Sequence, residues 1–436
     1  MNPYVLRKPE APVTLCASTK SRVKATPFHV ETTAVSPDLD GVPTVSLIGA
    51  GPIGCSFAAD LASRGKKVLL YGHPDHPGNI GMIQENGGYL KASDEVQGRF
   101  KIETTSDLGV ALQFSSFIVI TVPAHGHDTI LNALSRYDLR AHILIATPGN
   151  FFFLAARKRV AAQALLETAH PPYATRMAGD TVLVKGIKDN LAIWAGPTTI
   201  CPSKLRRAVD SIFPRRLEWC HNLLQVAMAN LGPVIHPATA LMNTGWIEVT
   251  RGDFYFYGQG MSRSVSKVIE QVDRERLAIS REFGFQLPPI MASLEQMYQK
   301  RFPKFHQFAQ ESQIHNRTKG APAEMGHRYV SEDVVYVLLP WYELGVKCGL
   351  SSPTIKSIIE LASVVNGSNC VKGGRSLRAV GLEDASKEEI LTICQGSLRD
   401  EGGPPTVFRP LTSVDVNIHP GSEQFPVKMA GQAIKG

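Results

Sequence analysis

The chain has 436 residues and seven cysteines, yet no CxxC pair, no basic block with interleaved aromatics and no long apolar run. Each absence removes a class of protein. Seven is an odd number, and in a chain this long free thiols in a reducing compartment, the cytoplasm, fit better than a disulfide scaffold. The longest apolar runs, such as residues 117–122, fall far short of the ~20 residues a membrane span needs. The 46 Lys and Arg residues are scattered, so the formal net charge of +7 suits acidic small molecules and leaves no nucleic-acid footprint. An early Glu10 and the lack of an apolar stretch argue against a secretory signal. The sequons Asn316-Arg-Thr and Asn366-Gly-Ser are therefore read as chance matches.

A hydrophobic content of 43% is that of a soluble globular protein, and the length predicts two or three domains. Residues 1–43 mix Pro, Ser and Thr without periodicity and are expected to form a flexible extension, with a transit peptide as the alternative. Order begins at Thr44-Val-Ser-Leu-Ile48, a strand that runs into Gly49-Ala-Gly51-Pro52-Ile53-Gly54. A helix over residues 55–63 and a second strand over 68–71 follow. Strand, GxGxxG, helix and strand within ~30 residues form the dinucleotide-binding context. Gly49 permits the tight turn, Gly51 lets the backbone approach a pyrophosphate, and Gly54 lets the helix pack on the strand. The helix N-terminus offers its free N–H groups to the phosphates. The second strand ends in Tyr71-Gly72-His73-Pro74-Asp75, with Gly where an acid usually holds the ribose of NAD. That absence, with His73 to assist a 2′-phosphate, favours NADP(H) slightly over NAD(H). Asp75 acting from a shifted position is the alternative.

Further apolar strands over residues 117–122 and 142–146 end in Pro123-Ala-His125-Gly-His127 and Thr147-Pro148-Gly149-Asn150. Both endings lie at carboxyl ends of strands, where ligands sit in open parallel sheets. No further His or Cys stands at ligand spacing from His125 and His127, so they read as loop histidines near the cofactor and no metal is expected. Residues 181–186 and 191–195 resemble a hairpin turned by Lys188-Asp-Asn190, and Gly196-Pro197 marks the boundary of a unit over residues 44–200. Past residue 204 the apolar spacing turns helical, over 217–231, from 265 to Gly284, over 329–348 and over 354–365. Gly232-Pro233 must break or kink the first of these. The chain beyond residue 383 loses periodicity and is expected to be loosely ordered.

The ordered blocks of this second half carry a resemblance. Gly232-Pro-Val-Ile-His-Pro237, Leu241-Met-Asn-Thr-Gly245, Phe254-Tyr-Phe-Tyr257, Asp273-Arg-Glu-Arg-Leu277, Arg328-Tyr-Val-Ser-Glu-Asp333 and Gly374-Arg-Ser-Leu377 with Gly381-Leu382 resemble the octopine/nopaline (opine) dehydrogenase family. In the first half Pro148-Gly-Asn150, Glu167-Thr168 and Pro172-Tyr-Ala-Thr-Arg176 fit as well. The resemblance implies an α/β Rossmann domain, then an all-α, 6-phosphogluconate-dehydrogenase-like domain over residues 204–382, with the site in the cleft between them. It implies NAD(P)H-dependent reductive condensation of a 2-oxo acid with the amino group of an amino acid. The family's catalytic histidine falls on His236, its partner acid on Asp333 and its carboxylate-binding arginine on Arg328. Where this chain has Gly232, many relatives carry Asn, which puts the substrate contacts in question rather than the chemistry.

An imidazole suits proton exchange near neutral pH, and a buried carboxylate such as Asp333 would fix its tautomer and stabilise its charged form. The plainer reading of His236 is a structural histidine at a helix start, since Pro237 suits a first turn. A guanidinium binds carboxylates as a bidentate fork, which makes Arg328 the first substrate-binding candidate and Arg176 the second. Arg375 reads first as a packing residue. Asn230 could hold a substrate oxygen or cap a helix, and Tyr173 and Glu167 could face the cleft. The expected cofactor-binding set is Gly49, Gly51, Pro52, Ile53, Gly54, His73, Pro123, Pro148, Gly149 and Asn150. The expected partners are a 2-oxo acid and an amino acid, with neither nucleic acid nor membrane; a homodimer is compatible with them. Two other readings stay open. A ketone or 2-oxo-acid reductase of the ketopantoate or glycerol-3-phosphate type would share the two-domain plan but place a lysine at His236. A non-catalytic NADP-sensing protein would leave His236, Arg328 and Asp333 unexplained.

Overall fold

The structure is a computed structural model and describes residue 39 and residues 43–298, 300–370 and 374–398. Most of the expected N-terminal extension, and the tail beyond residue 398, lie outside the described residues. In chain order the strands are β1 (Val45–Ile48), β2 (Val68–Tyr71), β3 (Tyr89–Asp94), β4 (Gly98–Lys101), β5 (Glu103–Thr105) and β6 (Phe117–Ile120). They continue as β7 (Ile143–Ala146), β8 (Ala164–Thr168), β9 (Tyr173–Ala178), β10 (Thr181–Ile187), β11 (Leu191–Ala195) and β12 (Leu217–Trp219). The quartets of β1, β2, β6 and β7 are buried at every position, as strands covered on both faces must be.

One sheet has the order β12-β11-β8-β7-β6-β1-β2-β5 and the other β4-β3-β10-β9. In the first sheet β8, β7, β6, β1, β2 and β5 run parallel, and β11 with β12 runs against them. The Pro52–Ser63 helix packs against strands of both sheets. This is the expected Rossmann unit.

The expected hairpin over residues 181–195 does not form. β10 alternates half-buried and buried positions and pairs with β3 and β9, whereas β11 is buried throughout and pairs with β8 and β12. Alternation suits the half-exposed second sheet, and a continuous apolar run suits the core of the first. The boundary expected at residue 200 moves as well. The Pro202–Asp210 helix precedes β12, whose Leu217 pairs with Leu191 of β11, so the first unit runs to residue 219. The helix expected over 217–231 is therefore strand at its start, and helix resumes at Leu223–Met228, where the Asn222 side chain accepts from Leu224 N at 3.0 Å.

The second half is helical. The Gly232–Met242 helix packs against the helices Arg263–Glu282, Arg328–Ser331 and Pro353–Val365. Ser262 caps the longest of these, which buries Val265, Ile269, Val272 and Ile279 along one stripe. The loose tail expected from residue 383 is corrected as far as residue 398. A capping box of Ser386 and Glu389 starts the Lys387–Ile393 helix. Cys394 O then accepts from Leu223 N, Gly396 N donates to His221 O, and Ser397 Oγ donates to Gly196 O, each at 2.8 Å. No helix among the described residues is long and apolar enough to cross a membrane.

Candidate active site

The carboxyl ends of the neighbouring strands β1, β6 and β7 converge on one edge of the first sheet. Gly49 has a φ of +121°, which favours glycine. A Cβ on Gly54 would stand 1.9 Å from Gly49 O, so only glycine lets helix and strand meet this closely. Above Gly51 nothing lies within 4 Å, which leaves a cradle at the N-terminus of the Pro52–Ser63 helix where a phosphate can meet backbone N–H groups. Gly72 explains the missing acid, because a Cβ there would lie 2.4 Å from Pro77 O. The next residue is His73, whose Nδ1 accepts from Asp75 N at 3.2 Å. Gly149 answers to packing, because a Cβ there would meet the Glu167 carboxylate at 2.0 Å.

A cavity of about 460 Å³ lies where the two halves meet, and Pro52, Pro148 and Asn150 line it from the nucleotide side. From the helical side it receives Asn230, His236, Arg328 and Asp333. His236 sits one turn into the Gly232–Met242 helix, and its Nδ1 meets Asp333 Oδ2 at 2.7 Å. Its ring stacks on Tyr329 with centroids 4.1 Å apart, and its Nε2 faces the Tyr257 hydroxyl at 3.4 Å. A carboxylate on Nδ1 fixes a proton there and leaves Nε2 as the exchangeable position.

Glu332, the neighbour of Asp333, ties the helical half to the nucleotide half. Glu332 is almost fully buried, and its Oε1 accepts from Ala124 N at 2.9 Å and from Asn150 Nδ2 at 3.4 Å. Its Oε2 lies 3.4 Å from Arg328 Nε, and neither atom has a hydrogen-bond partner among the described residues. Burial works against the Arg328 charge, but Glu332 and Asp333 hold its pKa above the ordinary arginine value. Its side chain opens onto the cavity.

Arg176 also lines the cavity, with its Nη1 donating to Lys319 O at 3.0 Å. Asn230 is committed in two directions, accepting from Gly232 N at 3.1 Å and donating to Asn150 Oδ1 at 3.0 Å. Tyr173 is not brought to the cavity. It is buried, and its hydroxyl donates to Asp60 Oδ2 at 2.9 Å, so its strand position faces the Pro52–Ser63 helix. Glu167 is likewise turned inward, accepting from Phe152 N and Phe153 N. Burial pushes its carboxyl up to about 7. His127 is a core residue beneath Arg375, and Arg375 itself donates to Asn150 O at 2.8 Å.

The sequence reading assigned no role to four further cavity residues: Tyr257, His315, Lys185 and Lys188. His315 is bonded through Nδ1 to Ser312 Oγ at 2.6 Å and through Nε2 to the Tyr298 hydroxyl at 3.2 Å. Burial, then nearby cations, hold His315 down to about 3, so it stays neutral. Burial, then the Arg328 guanidinium, pushes the Lys188 ammonium down to about 7. Tyr257 closes the Phe254-Tyr-Phe-Tyr257 stretch that carries the family resemblance. Lys188 had only a turn signal to its name. Among the described residues no three His, Cys, Asp or Glu side chains gather as a metal site.

Residues 219–366 match the family described as NAD/NADP octopine/nopaline dehydrogenase, alpha-helical domain. Residues 44–169 match the one described as NAD-dependent glycerol-3-phosphate dehydrogenase N-terminus. Protein ocs of Agrobacterium tumefaciens (strain Ach5) is 27% identical over 358 residues, 81% of this chain and 99% of that one. Opine dehydrogenase of Arthrobacter sp. (strain 1C) is 27% identical over 78% of this chain and 95% of its own length. In fold, the chain resembles octopine dehydrogenase solved with NADH and L-arginine, with a TM-score of 0.61, 18% identity, and coverage of 80% of this chain and 98% of that one.

Proposed function

The chain belongs to the octopine/nopaline dehydrogenase family, and from that premise we propose that it joins a 2-oxo acid to the amino group of an amino acid by reductive condensation. The observation that carries the reading is the 2.7 Å bond between His236 Nδ1 and Asp333 in the wall of the interdomain cavity.

The open cradle above Gly51 fits the pyrophosphate of a nicotinamide cofactor. Gly49, Gly51, Pro52, Ile53 and Gly54 hold it, with Pro123, Pro148, Gly149 and Asn150 at its nicotinamide end. When bound and reduced, the cofactor supplies the hydride. Gly72 leaves no acid to repel a 2′-phosphate, and His73 stands beside the place for one, which favours NADP(H) over NAD(H).

His236 does the proton work. Its Nε2 takes a proton from the incoming ammonium, so that the amine nitrogen can attack the carbonyl carbon. It then returns a proton to the carbinolamine hydroxyl, which leaves as water. Asp333 holds the ring and offsets its charge while Nε2 is protonated. Arg328 takes the carboxylate of the 2-oxo acid in a fork, and the Tyr329 face keeps the imidazole from turning. The free cysteines among the described residues suit the cytoplasm, and a second copy of the chain is the one macromolecular partner this reading admits.

The test is oxidation of NADPH and NADH with pyruvate, 2-oxoglutarate, oxaloacetate or glyoxylate, each crossed with the amino acids. Turnover that requires both partners is expected, and full turnover with a keto acid alone would overturn the reading.

A further inference from the structure

Four cationic side chains line the cavity: Arg176, Lys185, Lys188 and Arg328. Among its described lining residues the only carboxylate is Asp333, already bonded to His236. A condensation between two monocarboxylic partners brings two carboxylates, which leaves cations over.

Three of the four stand close together on the second sheet and the loop after it. In the β9–β10 register Arg176 lies opposite Leu183, Lys185 sits at the irregularity between Val184 and Gly186, and both side chains line the cavity, where like charges destabilise. Arg176 and Arg317, after burial itself, depress the Lys185 ammonium. Among the described residues Lys185 Nζ donates only to the Thr318 hydroxyl, at 2.6 Å. Lys188 follows directly after β10, with its main-chain N donating to Pro172 O at 2.8 Å. No acceptor among the described residues meets its ammonium. Its charge reaches His170 and His315, and Arg328 in turn presses on it. Asp94, which acts on Lys185, is itself paired with Arg317 at 2.9 Å, so the cations outnumber the acids around them, a standing electrostatic cost that an incoming anion relieves.

We infer that Lys185 and Lys188, with Arg176 at the rim, form a second anion subsite that receives the distal carboxylate of a dicarboxylic substrate. Arg328 keeps the carboxylate beside the reacting carbon, and the lysines take the one at the far end. The inference rests on the opine-type reading of the cavity. The distal carboxylate can come from the 2-oxo acid, as in 2-oxoglutarate, or from an acidic amino acid such as glutamate.

Lys188→Met and Lys185→Met keep the aliphatic stem and remove the charge. The 2-oxo acid arm compares 2-oxoglutarate with pyruvate against a neutral amino acid. The amino acid arm compares glutamate with alanine against pyruvate. In one arm the loss in kcat/KM for the dicarboxylic substrate should exceed that for the monocarboxylic one by at least about tenfold, through KM, the size expected for a hydrogen bond to a charged group. Lys188→Arg should restore most of it. Equal losses for both substrates in both arms, or no loss, overturn the subsite. Binding of glutarate against butyrate to the cofactor-loaded protein, followed by calorimetry, separates the two readings. Glutarate binding that Lys188→Met abolishes, in a protein with no condensation activity, removes the function and keeps the subsite. Equal binding of glutarate and butyrate removes the subsite.

Discussion

Replacing Asp333 by Asn tests the site at its centre, because it keeps the shape and one neutral hydrogen bond to His236 and removes one charge. The two side chains meet at 2.7 Å with only 16% of the histidine and 5% of the aspartate exposed. Unit charges about 4 Å apart interact by about 4 kcal/mol at an effective dielectric near 20. A neutral hydrogen bond restores about 1 kcal/mol of this. The protonated imidazole therefore loses about 2 to 3 kcal/mol of support, or roughly 30- to 150-fold in the rate of any step that passes through it. Steady-state kcat with both substrates saturating reads this loss. Cofactor affinity, followed by fluorescence quenching, should stay within about twofold, because Asp333 lies on the helical side of the gap and the glycine-rich cradle on the other. Turnover in Asp333→Asn within threefold of wild type would refute the reasoning.

Gly232→Ala should separate stability from activity. The added Cβ would lie 3.3 Å from Cε1 and Nδ1 of His236, so kcat should fall about 3- to 10-fold as the ring shifts by tenths of an ångström. Thermal stability should hold or rise by about 0.4 to 1 kcal/mol; unchanged kcat would count against the crowding argument. Glu332→Ala strands the buried Ala124 N–H and frees Arg328, so urea denaturation should show a loss of about 1 to 3 kcal/mol together with a raised KM for the 2-oxo acid. A loss confined to one of the two would break the link drawn between them. Glu167 titrates at about 7 in the folded chain against an ordinary 4.5. Its contribution to stability is full below 4.5 and is lost as pH rises through 7, because the folded state holds the proton more tightly. From pH 5 to 8 the wild type should lose about 2 to 3 kcal/mol relative to Glu167→Gln, and parallel denaturation midpoints for the two would dismiss this.

The nucleotide half was legible because its signals are local. A buried quartet, a glycine turn and a helix within ~30 residues dictate one another, so β1, the Pro52–Ser63 helix and β2 fell where the apolar pattern put them. The meeting of His236 and Asp333, 97 residues apart, has no local signature and was reachable only through the family blocks. Tyr173 and Glu167 were misread for the same reason in reverse. A strand residue declares that it alternates, but not which face looks at the cleft. Lys188 sat in a Lys-Asp-Asn turn, and nothing in a turn says that its side chain will end among other cations. The hairpin error carried its own correction in the sequence: Thr181-Val-Leu-Val-Lys-Gly-Ile187 alternates, and Leu191-Ala-Ile-Trp-Ala195 does not.

Glu332 and Asp333 are consecutive, at the junction of the Arg328–Ser331 helix and the π-helical turn Val334–Leu338. One carboxylate grips the nucleotide half and the other grips the imidazole, with a single peptide unit between them. Any displacement that parted the two halves at Glu332 would therefore also load the carboxylate bonded to His236. The clasp between the halves and the seating of the imidazole share one backbone step, and an insertion of one residue at this junction would disengage both contacts.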